Sequence, residues 1–326
     1  MHRRAFIRTV LAGFLGLSVT SRARQPAKVA RIGFLGANSA SSWASRLESF
    51  RLGLRELGYV EGKNIVIEFR WADEQYDRLP ALAAELVRLK VDILVTYGTP
   101  GTLAAKRATT TIPIVMVHAG DAIITGLVAN LARPGENITG STFFVPELMA
   151  KRLELLKDAI PRITQVATLV KPDNPLLRTP PQALHMAAKS LKIELQQFEA
   201  RGPKEFEATF SAIAERRVDA VAILDDAVFI ANARALANLA VKQRLPSAGF
   251  DELAEAGGLI GYGVDFLPMY RRAAVFVDKI LKGAKPGDLS IEQATKFRLV
   301  INVKTSNALG LTIPQSLLLR ADEVIQ

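Results

Sequence analysis

The chain of 326 residues predicts an α/β protein made of two similar doubly wound parallel-sheet lobes joined by a multi-strand hinge. Three observations carry that expectation. From residue 30 onward, short β-rich apolar runs alternate with helix-period segments, as parallel βαβ units require. The order of these segments occurs twice along the chain. Length and composition, with 49% apolar and 23% charged residues, suit an ordinary globular protein large enough for two cores.

In the first half, strands are expected near Ala30–Leu35, Ile65–Arg70, Asp92–Tyr97, Ile114–His118 and Ile138–Thr142. Between them, Leu47, Phe50, Leu54 and Leu57 form one helical stripe that stops at Gly58, and Leu79, Leu82, Leu86 and Leu89 form another. Both stripes read as core packing. The second half offers a helix over Glu147–Ala159, a strand over Val166–Val170 and a helix over Pro181–Leu191. A strand over Glu194–Phe198, a helix over Glu205–Arg216 and a strand over Asp219–Leu224 come next. A helix over Val228–Gln243 and strands near Pro246–Phe250 and Leu259–Val264 complete the series.

The halves correspond segment by segment. Val91-Asp92-Ile93-Leu94-Val95 leads through a loop and a helix to Ile112-Pro113 and a strand that runs out at Asp121. Val218-Asp219-Ala220-Val221-Ala222 leads in the same way to Leu245-Pro246 and a strand that runs out at Asp251. Gly140–Pro146, Tyr262–Phe266 and a segment after Lys296 read as crossings between lobes. The expected division is therefore 30–143 with about 266–296 for one lobe, and 144–265 with about 297–326 for the other.

Residues 1–27 read as an export signal. Basic Arg3, Arg4 and Arg8 precede an apolar stretch from Val10 to Val19, too short to span a bilayer, and small polar residues follow. Arg3-Arg4 with Phe6-Ile7 resembles a twin-arginine signal, so the twin-arginine export machinery is an expected partner. Ser21-Arg22-Ala23 fits a cut after Ala23, and later cuts to residue 30 fit too. This segment explains much of the formal charge of +10: residues 1–31 hold seven basic residues and no acid, and without them the charge is +3. The remaining basic residues alternate with acids, as in Arg46, Glu48, Arg51, Arg55 and Glu56, which is a solvated face and not a nucleic-acid track.

The chain has no cysteine, which excludes disulfides, thiolate metal sites, a cysteine nucleophile and a lipid-modified cysteine anchor. A soluble periplasmic protein that is not a lipoprotein is therefore expected. Three histidines, His2, His118 and His185, lie too far apart in sequence to suggest a metal site, and no cofactor is expected. No Gly-x-Ser-x-Gly elbow, phosphate loop or Gly-x-Gly-x-x-Gly turn occurs, so an enzyme is not expected.

Ligand sites of parallel sheets lie beyond the carboxyl ends of the strands, where loops enter helix N-termini. Those ends carry Asn38 and Ser39, Thr99 and Pro100, and Asp121 in the first half. In the second they carry Asn174, Asp225, Asp226, Asp251 and Asp265. Hydroxyls and helix N-termini can donate to a carboxylate, and acids can accept from an ammonium. Most of these residue types also suit a helix N-cap, so each residue taken singly has that second explanation.

Several stretches carry a family resemblance: Ile32-Gly33-Phe34-Leu35, Gly62-Lys63-Asn64, Ala132-Arg133-Pro134-Gly135-Glu136-Asn137-Ile138-Thr139-Gly140, Tyr262-Gly263-Val264-Asp265 and Ala308-Leu309-Gly310-Leu311-Thr312-Ile313-Pro314. On these residues the body resembles the substrate-binding proteins of an ABC-importer family with the type I periplasmic-binding fold, which includes tryptophan- and phenylalanine-binding members. The resemblance implies capture of a small solute between closing lobes, an amino acid or small carboxylate being favoured. It further implies delivery to an inner-membrane ABC permease with a cytosolic ATPase. It places Asn38 and Ser39 where the first loop meets ligand, Thr99 and Pro100 at the carboxylate-holding segment, and Asp121 at the acid that meets an amino group. Transfers to Asn174, Asp225, Asp226, Asp251 and Asp265 are weaker. Asp121-Ala122 departs from the Asp-Pro that relatives often carry, which leaves that loop's shape open. A periplasmic sensor presenting its ligand to a receptor kinase would need the same cleft and is the alternative reading.

Overall fold

The computed structural model describes residues 29–176 and 182–326. The expected export segment 1–27 and Pro181, the first residue of one expected helix, lie outside the described residues. The first half runs β1 (Ala30–Gly36), α1 (Ala44–Glu56), β2 (Ile65–Trp71), α2 (Leu79–Arg88), β3 (Ile93–Thr96), α3 (Gly98–Ala108), β4 (Ile114–Gly120) and β5 (Ile138–Phe143). The second begins with α4 (Val145–Ala159), β6 (Gln165–Val170), α5 (Gln182–Ser190), β7 (Glu194–Glu199), α6 (Pro203–Glu215) and β8 (Ala220–Ile223). It continues with α7 (Ala227–Ala231), α8 (Ala233–Lys242), β9 (Ser247–Gly249), α9 (Asp251–Glu255) and β10 (Ile260–Val264). The last part holds α10 (Leu267–Leu281), β11 (Glu292–Gln293), β12 (Phe297–Asn302), α11 (Val303–Ala308), α12 (Gln315–Leu318) and β13 (Glu323–Ile325).

Two sheets form. One has six strands in the order β11-β5-β4-β3-β1-β2, with every pair parallel. The other has seven in the order β13-β12-β10-β9-β8-β6-β7, parallel except where β12 runs against β10. Numbered by order of entry, each sheet contains the run second, first, third, fourth, fifth: β2-β1-β3-β4-β5 and β7-β6-β8-β9-β10. The duplication visible in the segment order is thus a duplication of topology. Strands β3, β4 and β8 are buried at every residue, because helices cover both faces of a doubly wound sheet.

The chain passes between the sheets after β5, after β10 and between β11 and β12. Helix α10 returns to the first sheet, packing on α1, β4 and β5. Gly53 makes the α1–α10 approach possible: a Cβ there would stand 2.5 Å from the Arg271 carbonyl oxygen and 2.9 Å from Ala274 Cβ. The stripe of Leu47, Phe50 and Leu54 is buried at this seam, and Gly58 turns the chain away at φ +86°.

Local structure departs from expectation at the helices, α4 for one beginning at Val145 and not Glu147. The helix expected over Val228–Gln243 divides into α7 and α8 at Asn232, whose φ of −111° and ψ of 23° break the helix. Its side chain there donates to the Val228 carbonyl at 2.8 Å and to Glu74 Oε1 of the first lobe at 3.0 Å. Helix α6 begins at Pro203, two residues earlier than expected, because proline suits the first turn, where the missing N–H has no partner to lose.

Candidate ligand-binding cleft

A cleft opens between the lobes at the carboxyl ends of β1, β3, β4 and β5 on one side and β6 and β8 on the other. Its empty space, with the open mouth included, is about 520 Å³. The first lobe contributes Ala37, Trp43, Tyr76, Tyr97, Gly98, Thr99, Pro100, His118, Gly120 and Phe143. The second contributes Asn174, Leu176, Asp225, Asp226, Ala227 and Ile230, with Phe266 from the crossing after β10.

Helix α3 points its N-terminus at this space through Gly98, Thr99 and Pro100. No side chain caps it. The first-turn N–H groups of an α-helix have no partner within the helix, and together with the helix dipole they favour an anion. Gly98 has φ +71°, a left-handed turn that glycine makes without strain as β3 gives way to α3. Thr99 is buried, and its hydroxyl lies 3.4 Å from the Gly120 carbonyl.

Across the cleft, two adjacent acids have different surroundings. Asp225 is held by Arg152 of α4 through two bonds of 2.5 and 2.9 Å, while Arg152 Nε donates to the Tyr262 carbonyl at 2.7 Å. Both side chains of this pair are at most 3% exposed, so the charge of Asp225 is already balanced. Asp226 meets no guanidinium or ammonium in its hydrogen bonds. It accepts from the Tyr76 hydroxyl at 2.8 Å, Asn174 Nδ2 at 3.0 Å and the Val228 N–H at 2.8 Å. Burial pushes its carboxyl above the ordinary aspartate range, against the pull of those three donors and of the nearby Lys171 charge. An ammonium beside it would relieve that cost.

Much of the remaining wall is aromatic. Trp43 stacks on Tyr97 at 4.8 Å, and His118 lies 4.3 Å from Phe266 and 6.0 Å from Phe143, centroid to centroid. Burial, with the nearby Arg46 charge adding to it, holds the His118 pKa at about 3, so this imidazole is neutral. Neither of its ring nitrogens has a hydrogen-bond partner among the described residues.

The residues expected from sequence divide into those that line the cleft and those that do not. Thr99, Pro100, Asn174, Asp225 and Asp226 line it. Asn38 sits behind the wall as a clasp between lobes: Tyr97 donates to its Oδ1 at 2.9 Å, and its Nδ2 donates to the Ala227 carbonyl at 2.9 Å. Asp121, with φ +30°, follows the lining residue Gly120 and accepts from the Ile124 N–H at 3.0 Å. Ala122 donates its N–H to Thr142 Oγ1 at 3.1 Å, a bond a proline at that position could not make. Ser39 stays in a local turn with Ser41 and Ser42, apart from the cleft walls. Asp251 pairs with Arg298 at 3.1 Å, and Asp265 lines a separate cavity beside the crossings with Arg272 and Lys296. Sequence reading missed Trp43, Tyr76, His118, Phe143, Phe266 and the neutralising Arg152. The aromatic residues carried one signal, since Tyr97, Phe143 and Phe266 stand within two residues of a strand's carboxyl end.

Among the described residues, no helix is long and apolar enough to cross a membrane, and no group of three or more acids or histidines could hold a metal ion.

Comparison with known proteins bears on most of the chain. The chain is 24% identical over 265 residues to a tyrosine-binding protein of Clostridioides difficile, covering 81% of this chain and 76% of that one. A conserved domain protein of Vibrio cholerae superposes with a TM-score of 0.85 at 27% identity, covering 91% of this chain and all of that one. An ABC domain from Streptococcus pneumonia in complex with L-Trp superposes at 0.83 with 25% identity, covering 91% and 99%. The sequence profile described as ABC transporter substrate binding protein matches residues 36–325, and the chain belongs to that family.

Proposed function

We propose that this protein binds an amino acid between its two lobes in the periplasm and delivers it to an inner-membrane permease with a cytosolic ATPase. The observation that carries the reading is the pairing across one cleft of an uncapped helix N-terminus, at Thr99 and Pro100, with a buried carboxylate that no cation contacts directly, Asp226. The first suits an α-carboxylate and the second an α-ammonium. Aromatic walls at Trp43, Phe143 and Phe266 suit contact with an apolar side chain. Relatives that bind tyrosine and L-Trp support the same class.

The lobes of this reading are 30–143 with about 266–296, and 144–265 with about 297–326; the three chain crossings support that division. Export by the twin-arginine route rests on Arg3-Arg4 and the apolar stretch behind them. N-terminal sequencing of the periplasmic form should show a cut between residues 23 and 30, and an intact Met1 in that form would refute the export claim.

The binding claim is tested by a thermal-shift screen of the mature protein against the twenty amino acids and small dicarboxylates, with calorimetry on each hit. A zwitterionic amino acid should raise the melting temperature, since a ligand held only by the folded state stabilises it. Asp226→Asn should weaken that ligand roughly tenfold or more by removing the ammonium's counter-charge. Stabilisation by dicarboxylates alone, unaffected by Asp226→Asn, would refute the amino-acid reading.

A further inference from the structure

We infer that His118 is the specificity-determining residue of the cleft, hydrogen-bonding a polar group on the ring of the bound amino acid. The solute class is then an aromatic amino acid with a ring hydroxyl or ring N–H, in preference to one with a plain hydrocarbon ring. This inference rests on the amino-acid reading of the cleft.

His118 occupies β4, lines the cleft and is only 5% exposed. Four rings surround it: Phe266 at 4.3 Å, Tyr270 at 5.8 Å, Tyr97 at 5.9 Å and Phe143 at 6.0 Å between centroids. The polar atoms nearest in that group bond elsewhere and not to the imidazole. The Tyr97 hydroxyl donates to Asn38, the Tyr270 hydroxyl accepts from Trp43 Nε1 at 2.6 Å, and Arg46 is paired with Glu252. Both imidazole nitrogens remain without a partner among the described residues. A side chain needed only for packing here would be Phe or Leu, which fills an aromatic nest with no polar group to desolvate. An unpaired buried imidazole costs free energy in the free protein, and a ligand that supplies the missing partner recovers it.

The chemistry of the partner follows from the protonation state. A neutral imidazole offers one N–H and one bare nitrogen. A phenol hydroxyl can meet either atom, as acceptor or as donor. An indole N–H can meet the bare nitrogen. A phenyl ring meets neither and would leave both unpaired. Carboxylate and ammonium binding are assigned to other residues, so His118 is free to read the side chain.

The test is calorimetry of the mature protein with L-tyrosine, L-tryptophan and L-phenylalanine, in wild type, His118→Phe and His118→Gln. Wild type should bind tyrosine or tryptophan roughly 10- to 100-fold more tightly than phenylalanine, the range expected when a buried polar group is left unpaired. Tyrosine and tryptophan are separate arms, and whichever binds more tightly names the partner group. His118→Phe keeps the ring volume in an aromatic setting, and melting temperature checks its fold. It should lose that preference, and His118→Gln, which retains a donor and an acceptor, should restore part of it. Equal binding of the three amino acids by wild type, or an unchanged preference in His118→Phe, overturns the specificity role and leaves the amino-acid reading standing. No binding of any amino acid overturns both. Should His118→Phe fail to fold, loss of the preference in His118→Leu, set against its partial return in His118→Gln, decides the matter.

Discussion

At the scale of single residues, the cleft is organised by which charges are already satisfied. Arg152 and Asp225 are buried together, so removing one partner strands the other. Arg152→Ala should cost about 3–5 kcal/mol of unfolding free energy in urea denaturation, and Arg152→Met with Asp225→Leu should recover most of it. His118 gives a pH signature of defined sign. Its pKa falls from 6.5 in the unfolded chain to about 3 in the folded one, so below pH 6.5 the unfolded chain takes up a proton that the folded one refuses. The stability contribution present above that pH drains away as pH falls toward 3. The melting temperature of His118→Phe relative to wild type should therefore rise between pH 7 and pH 4, and a constant difference would show that the imidazole is not buried neutral. Thr99 and Pro100 were legible in the sequence because parallel sheets aim their strand ends at ligands. The spent state of Asp225 was not, because its partner lies 73 residues earlier in the chain.

At the scale of elements, the seam between α1 and α10 is the tightest test of how the first lobe is closed. These helices are more than 200 residues apart in sequence and meet where Gly53 has no side chain. Gly53→Ala should destabilise by about 1–3 kcal/mol in chemical denaturation, because the obstructing atom is the Arg271 backbone carbonyl, which cannot rotate away. Leu52→Ala, on the exposed face of the same helix, should change stability by less than about 0.5 kcal/mol. The α1 stripe was readable from its period alone. The division of α7 from α8 was not, since it depends on Asn232 reaching Glu74 of the other lobe.

At the scale of the whole molecule, bonds across the cleft define a closed arrangement. Asn38 meets Ala227, Tyr76 meets Asp226, Asn232 meets Glu74 and Arg46 meets Glu252. A ligand touching both lobes adds to these contacts only when they are closed, and so shifts the open–closed population. Small-angle scattering should show a smaller radius of gyration on saturation with ligand. Asn38→Ala with Asn232→Ala should enlarge the unliganded protein and weaken binding through a reduced closed population. By itself the sequence determined the alternation of strand and helix, the duplicated order and the strand ends where a ligand would sit. Each of those follows from local periodicity and short-range turn chemistry. Only the tertiary structure decided which polar groups remain unspent: Asp225 taken by Arg152, Asn38 turned to the lobe interface, Asp226 without an ion pair and His118 enclosed by rings. Hydrogen bonds and ion pairs form between residues that folding brings together, and their spacing along the chain carries no mark of it.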